Sequence, residues 1–174
     1  MPKPPAPHRS PKLPGHIARF LHDGGLDVFG LDLSPQMIAQ ARGLNPRIEF
    51  CEGNMLALDL ADNLLAGIAA FYAIVNIPTA SLPIAFAEMH RVLKPKGLLL
   101  LSFHIGDEVI HPEELWANRI TMEFYKQQPE RVQRLLTDAG FAIEDVVERD
   151  PYAPDVEFQS RRAYVFARKA GLQS

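Results

Sequence analysis

Cysteine is nearly absent: Cys51 is the only one in 174 residues, so no intrachain disulfide can form. A chain of this kind suits the reducing cytoplasm. No apolar run is long enough to cross a membrane. The opening MPKPPAPHRSPKLP has no apolar centre, which excludes a signal peptide of the usual form. The net charge is −3, and no basic stripe carries interleaved aromatics, so no nucleic-acid footprint is expected. No G-x-G-x-x-G run exists, and no internal repeat. His104, Asp107, Glu108 and His111 lie close together, but their order matches no familiar metal site, so no metal is expected. One more thing is missing: no strand precedes the first helix.

What remains is an ordinary globular composition, 47% hydrophobic and 22% charged, at a length that suits one domain with a real core. Residues 1–14 carry Pro2, Pro4, Pro5, Pro7, Pro11 and Pro14. Proline has no N–H for a sheet ladder, so this leader is expected to be extended and disordered. A single domain is expected over residues 15–170. A helix from about Gly15 to Asp23 turns Ile17, Phe20 and Leu21 to one face, and Gly24-Gly25 closes it. DVFGLDL reads as a buried strand. Ser34-Pro35 caps the next helix, whose inner face is Met37, Ile38 and Ala41. IEFCEG is a strand, GNMLALDLADN a loop, and AGIAAFYAIV another strand. A helix spans about Ser81–Leu93, then a turn at Lys94–Gly97, then the strand LLLLSF.

Helices alternating with strands predict an α/β fold, a Rossmann-like doubly wound and mostly parallel sheet. ITMEFYKQ reads as a strand or a short helix. PERVQRLLTDAG is a helix, and FAIEDVVERD and RRAYVFARK are strands. Their non-helical connection predicts an antiparallel pair at the sheet edge.

Asp32 ends the DVFGLDL strand. Ligands of open α/β sheets bind beyond such carboxyl ends, where an acid can accept from both hydroxyls of a ribose. The plainer reading makes Asp32 a helix cap. Asn54 and Met55 could edge and cover an adenine, or form an asparagine turn. Phe71 and Tyr72 could cover a cofactor, or be core aromatics. His104, at the end of LLLLSF, is the best-placed base, ahead of His111 and Glu123; the alternative is a satisfied strand-end histidine. Trp116, Phe124, Tyr125 and Tyr152 line a substrate pocket or pack in the core. Arg149, Arg161 and Arg162 read as solvated surface arginines, with anion binding as the alternative.

VFGLDLSPQMIAQAR, IEFCEGNMLAL, AFYAIVNIP and EMHRVLKPKGLLLLSF, in this order and spacing, resemble the class I S-adenosylmethionine-dependent methyltransferases of small-molecule type. The resemblance runs from about Pro14 to Lys169. It implies S-adenosyl-L-methionine as cofactor and a small-molecule substrate. It implies that Asp32 binds the ribose hydroxyls, that Asn54 and Met55 border the adenine, that Phe71 and Tyr72 sit beside the sulfonium and methyl group, and that Leu33 and Gly15 belong to the same cofactor-binding set. Many relatives carry aspartate where this chain has Asn54.

The family opens with a central strand and a glycine-rich turn. Here only Gly15 of that turn remains, and the leader stands where the strand should be. Two strand edges are then expected to lack their common neighbour, with cofactor binding and turnover impaired. Two other readings stay open. One is a non-catalytic protein that dimerises through exposed sheet edges. The other is an NAD-dependent oxidoreductase, which would use Asp32 in the same way.

Overall fold

The computed structural model describes residues 14–111, 114–115, 118–119 and 123–171. The expected leader, apart from Pro14, lies outside them, as does Trp116. Two compact units divide the chain, residues 1–54 and 55–174, and each is described by itself.

In the first unit, Gly15 sits in the left-handed region at φ 80 and starts helix α1, His16–Asp23. Glycine is required there. An added Cβ would lie 2.6 Å from the Phe50 ring and 2.8 Å from the Asn45 amide nitrogen. Strand β1, Phe29–Asp32, is followed by helix α2, Pro35–Leu44, and strand β2, Glu49–Glu52. Ser34 caps α2 by accepting from the Met37 N–H at 3.3 Å. The two strands run parallel, Phe29 opposite Glu49 and Asp32 opposite Glu52. A small core of Ile38, Ala41, Ile48 and Phe50 joins α2 to the strands. The Arg42 guanidinium ties α2 to β2 by donating to the Phe50 carbonyl. The expected inner face of α1 is not realised: the helix has no buried residue, and Phe20 is 77% exposed. Apolar spacing selects a face, but burial needs a partner for it.

The second unit begins with a loop and strand β3, Leu65–Phe71. Helix α3, Leu82–Val92, leads into strand β4, Leu93–His104. Four two-residue strands follow: β5 at Val109–Ile110, β6 at Glu114–Leu115, β7 at Asn118–Arg119 and β8 at Phe124–Tyr125. β5 pairs with β8, and β6 with β7. Helix α4, Pro129–Asp138, precedes strands β9, Phe141–Arg149, and β10, Arg162–Lys169. The main sheet has the order β3-β4-β10-β9. β3 and β4 are parallel, and β10 is antiparallel to both of its neighbours. The antiparallel strand therefore lies one place in from the edge, and β9, the outermost, runs parallel to β4.

The core shows why these elements form. Leu99, Leu101 and Phe103 alternate along β4 and are fully buried. Leu82, Ala85, Phe86 and Met89 recur along α3 at helical spacing and pack on them, with Val132 and Leu136 from α4. Two expected elements differ in extent. The strand at AGIAAFYAIV ends at Phe71, because Tyr72 turns into the left-handed region at φ 52, and Ala73–Asn76 form a 3-10 turn. The expected turn at Lys94–Gly97 is an irregular stretch of β4, with Lys96 at φ 66 and a register shift opposite Leu65–Gly67.

The loop ahead of β3 is pinned from α3. Glu88 accepts from the Leu58 N–H at 2.8 Å, and Arg91 donates to the carbonyls of Leu58 and Leu60 and to Asp62. The Arg91 guanidinium beside Glu88 holds its carboxyl down at about 2. A folded-state value below the ordinary one stabilises the fold above pH ~4.5, and this is lost as pH falls toward the folded value. The urea midpoint should fall between pH 4.5 and 2, and Glu88→Gln should remove part of that fall. An identical pH profile in the variant would refute the assignment.

Candidate functional site

Asp32 stands at the carboxyl end of β1 and is exposed. One of its carboxylate oxygens, Oδ1, accepts from the Ser34 N–H at 2.8 Å. The capping reading is thus partly realised, and one oxygen is engaged in it. The Asp32 carbonyl accepts from the Gly53 N–H at 2.9 Å, which brings the end of β1 to the turn that carries Asn54. Gly53 is packed closely: an added Cβ would meet the Leu31 side chain at 2.5 Å. Leu33 is 70% exposed, and Asn54 is exposed. Gly15 lies against Phe50 and Asn45, the side chains that an added Cβ would meet. All of these residues belong to the first unit.

Met55, Phe71, Tyr72 and His104 belong to the second unit. Met55 packs against that unit's core. Phe71, Tyr72 and His104 come together at the carboxyl ends of β3 and β4. Tyr72 holds its strained backbone by donating its N–H to the Ser102 carbonyl at 3.0 Å and the Ser102 hydroxyl at 3.1 Å. A non-glycine residue in this region costs on the order of 1–3 kcal/mol, and such outliers cluster at functional sites. The Tyr72 ring stacks on His104, centroids 4.8 Å apart, and Phe158 meets His104 edge-on at 5.7 Å.

Four residues complete this cluster. Arg162 on β10 sits opposite His104 on one side and Arg149 on the other, so three neighbouring strands place one row of side chains. Tyr164, one alternation further along β10, lies opposite Ser102 and Val147. Its hydroxyl is 3.4 Å from that of Tyr72 and accepts from Arg149 at 3.1 and 3.3 Å. Glu157, from the β9–β10 loop, takes two bonds from Arg149 and an ion pair from Arg162 at 2.9 Å. It also accepts from the Tyr152 N–H. The Arg149 guanidinium beside it holds the Glu157 carboxyl down at about 2. Burial pushes the Tyr72 hydroxyl well above the ordinary phenol value, so it remains a donor at neutral pH.

This corrects the surface reading of the arginines. Arg162 has a side-chain exposure of 0%, while Arg161 is exposed and pairs with Glu148 and Asp150. Tyr164 and Glu157 were not expected at the site. The two-residue alternation from Arg162 to Tyr164 carried the signal for the first; nothing local marked the second. The other candidates stand apart. His111 pairs with Glu123 at 3.4 Å, and Tyr125 donates to Glu123. Asp107 binds Gln128 and Arg131, and Glu108 pairs with Lys126. Tyr152 lies 60% exposed under the Arg149 guanidinium.

Residues 14–97 match the family model described as a methyltransferase domain. The chain is 30% identical to the demethylmenaquinone methyltransferase of Chlorobaculum parvum over 74% of its own length and 52% of the relative's. It is 30% identical to the malonyl-[acyl-carrier protein] O-methyltransferase of Enterobacter lignolyticus over 59% of its length and 40% of the relative's. It thus spans about half the length of the curated relatives it matches. Among solved structures, an S-adenosylmethionine-dependent methyltransferase from Methanosarcina mazei superposes with a TM-score of 0.79 at 16% identity, over 90% of this chain and 88% of that one.

Proposed function

We propose that the chain, similar to class I S-adenosylmethionine-dependent methyltransferases over residues 14–97, methylates a small-molecule acceptor with S-adenosyl-L-methionine as methyl donor. The bound cofactor would supply an electrophilic methyl group on a positive sulfonium. The observation that carries this reading is Asp32: an exposed carboxylate at the carboxyl end of a parallel strand, with one oxygen engaged by the Ser34 N–H. That acceptor fits a ribose diol, which presents two hydroxyl donors to one carboxylate. Asn54 and Met55 are assigned to the adenine end, Leu33 to the cofactor-binding set beside Asp32, and Gly15 to what this chain holds of the glycine turn. Phe71 and Tyr72 are assigned to the methyl end, where an aromatic face suits a sulfonium cation.

The protein's main contribution is to orient the acceptor. His104 is assigned as the base that takes the acceptor's proton. The names of the relatives, one acting on demethylmenaquinone and one on a malonyl carrier, favour a small-molecule acceptor. The acidic balance and the lone cysteine favour cytoplasmic work on such a molecule over nucleic acid. A homodimer is a second element of the reading. Among the described residues, β1 takes its ladder from β2 alone and β3 from β4 alone, which leaves each with an edge for pairing.

Thermal denaturation with added ligand tests the cofactor assignment. At one hundred times its dissociation constant, S-adenosylhomocysteine should stabilise the fold by about 2.7 kcal/mol. NAD at the same concentration should leave the melting temperature unchanged. A rise with NAD and none with S-adenosylhomocysteine would favour the oxidoreductase.

A further inference from the structure

Arg91 leaves no donor unused. Its Nε donates to Glu88 Oε1 at 2.8 Å, and its Nη2 donates to Glu88 Oε2 and to the Leu58 carbonyl, each at 2.8 Å. Nη1 donates to the Leu60 carbonyl and to Asp62, each at 2.7 Å. Those bonds employ all the N–H groups that a guanidinium has. Glu88 Oε2 in turn accepts from the Leu58 N–H at 2.8 Å, and the Asn63 N–H donates to the Arg91 carbonyl at 3.0 Å. Side chains of α3 thus hold both backbone polar groups of Leu58.

The loop held in this way runs from Gly53 to Leu64 and carries no helix or strand. A connection of this length is long for a compact domain and is commonly functional. Met55 stands near its start, and with Leu56 it packs on the core cluster of the second unit. Apolar contact alone could keep the loop against α3, but such contact is non-directional and lets a backbone slide. Directed, charge-assisted bonds to the backbone of residues 58–60 and to Asp62 fix one path. The last turn of α3 is therefore a template for the loop as well as an anchor.

We infer that Glu88 and Arg91 are positioning residues for the adenine of the cofactor. This rests on the proposed methyl transfer, which assigns Asn54 and Met55 to that base. Both residues act through the loop: by fixing residues 58–63 they hold the turn at Met55 in one geometry. A fixed edge of backbone and side-chain groups can read the base. Adenine presents an amino donor beside a ring acceptor, and hypoxanthine reverses the two. A site held rigid leaves a polar group unpaired against the wrong edge, whereas a loose one adapts to either.

S-adenosylhomocysteine and S-inosylhomocysteine, its hypoxanthine counterpart, are titrated calorimetrically into the wild type, Arg91→Lys, Glu88→Gln and Val132→Ala. The wild type should prefer the adenine ligand about ten- to a hundredfold. Arg91→Lys keeps the charge but brings three donors in place of five, and should cut the preference to about threefold or less. Val132 is fully buried on α4 and takes no part in the clamp. Val132→Ala should lower the melting temperature and keep the preference, which separates positioning from general destabilisation. Circular dichroism checks folding. If Arg91→Lys does not fold, Glu88→Gln decides; it keeps an oxygen for the Leu58 N–H, loses one acceptor for Arg91, and should lower the preference in the same direction. An unchanged preference in the folded clamp variant, or an equal loss in Val132→Ala, overturns the inference. Equal affinity of the wild type for both ligands rejects it alone and leaves the proposed methyl transfer standing. No binding of S-adenosylhomocysteine by the folded wild type rejects the methyltransferase reading, and this inference with it.

Discussion

Asp32→Ala should weaken S-adenosylhomocysteine binding by about ten- to a hundredfold. A hydrogen bond to a charged group contributes about 1.5–3 kcal/mol net, and each 1.4 kcal/mol is a tenfold change in affinity. The substitution also removes the acceptor for the Ser34 N–H, a contact at 2.8 Å on an exposed residue. Asp32→Asn separates the two effects. Its amide oxygen still accepts from Ser34, but it has lost the charge and the second acceptor. Calorimetric titration should find both variants folded, both binding weakly, and alanine the weaker. An affinity unchanged from the wild type in Asp32→Ala would remove the ribose assignment, and Asp32 would be a turn residue only.

Phe103→Ala should cost about 3–5 kcal/mol of folding stability, the usual range for a large aromatic removed from a core. Phe103 is fully buried on β4, within the cluster that joins β4 and β10 to α3 and α4. A loss of that size is comparable to the whole stability of many domains, roughly 5–15 kcal/mol. The site should feel it as well, because Phe103 lies between Ser102, which holds the Tyr72 turn, and His104. Urea unfolding followed by tryptophan-independent far-ultraviolet circular dichroism gives the number. Phe20→Ala is the matched control: that ring is 77% exposed, and its removal should change stability by no more than about 0.5 kcal/mol. A cost below about 1 kcal/mol for Phe103→Ala would show that the β4 core is not what the packing indicates.

The sequence by itself determined the local elements and where the first candidate acid stands. Ser34-Pro35 is a cap whatever surrounds it, and the structure has the Ser34 hydroxyl accepting from the Met37 N–H. A continuous apolar run made LLLLSF a strand, and the helical spacing of Phe86, Met89 and Leu93 marked the helix before it. Those signals are legible because they depend on residues within one or two turns of each other. The end of β1 at Asp32 follows in the same way.

Only the tertiary structure decided what depends on distant partners. The face of α1 is apolar in sequence but only partly covered among the described residues, Phe20 standing exposed, since burial requires a neighbour that periodicity cannot supply. The inset position of β10 comes from ladders between residues about sixty apart, such as Arg162 with His104. That pairing converts an arginine that reads as surface into a fully buried one, and sets it in a row with His104 and Arg149. Glu157 joins them from a loop whose local sequence carries no periodic signal. A charged side chain is buried when partners from other strands are there to receive it, and no window of the chain contains those partners.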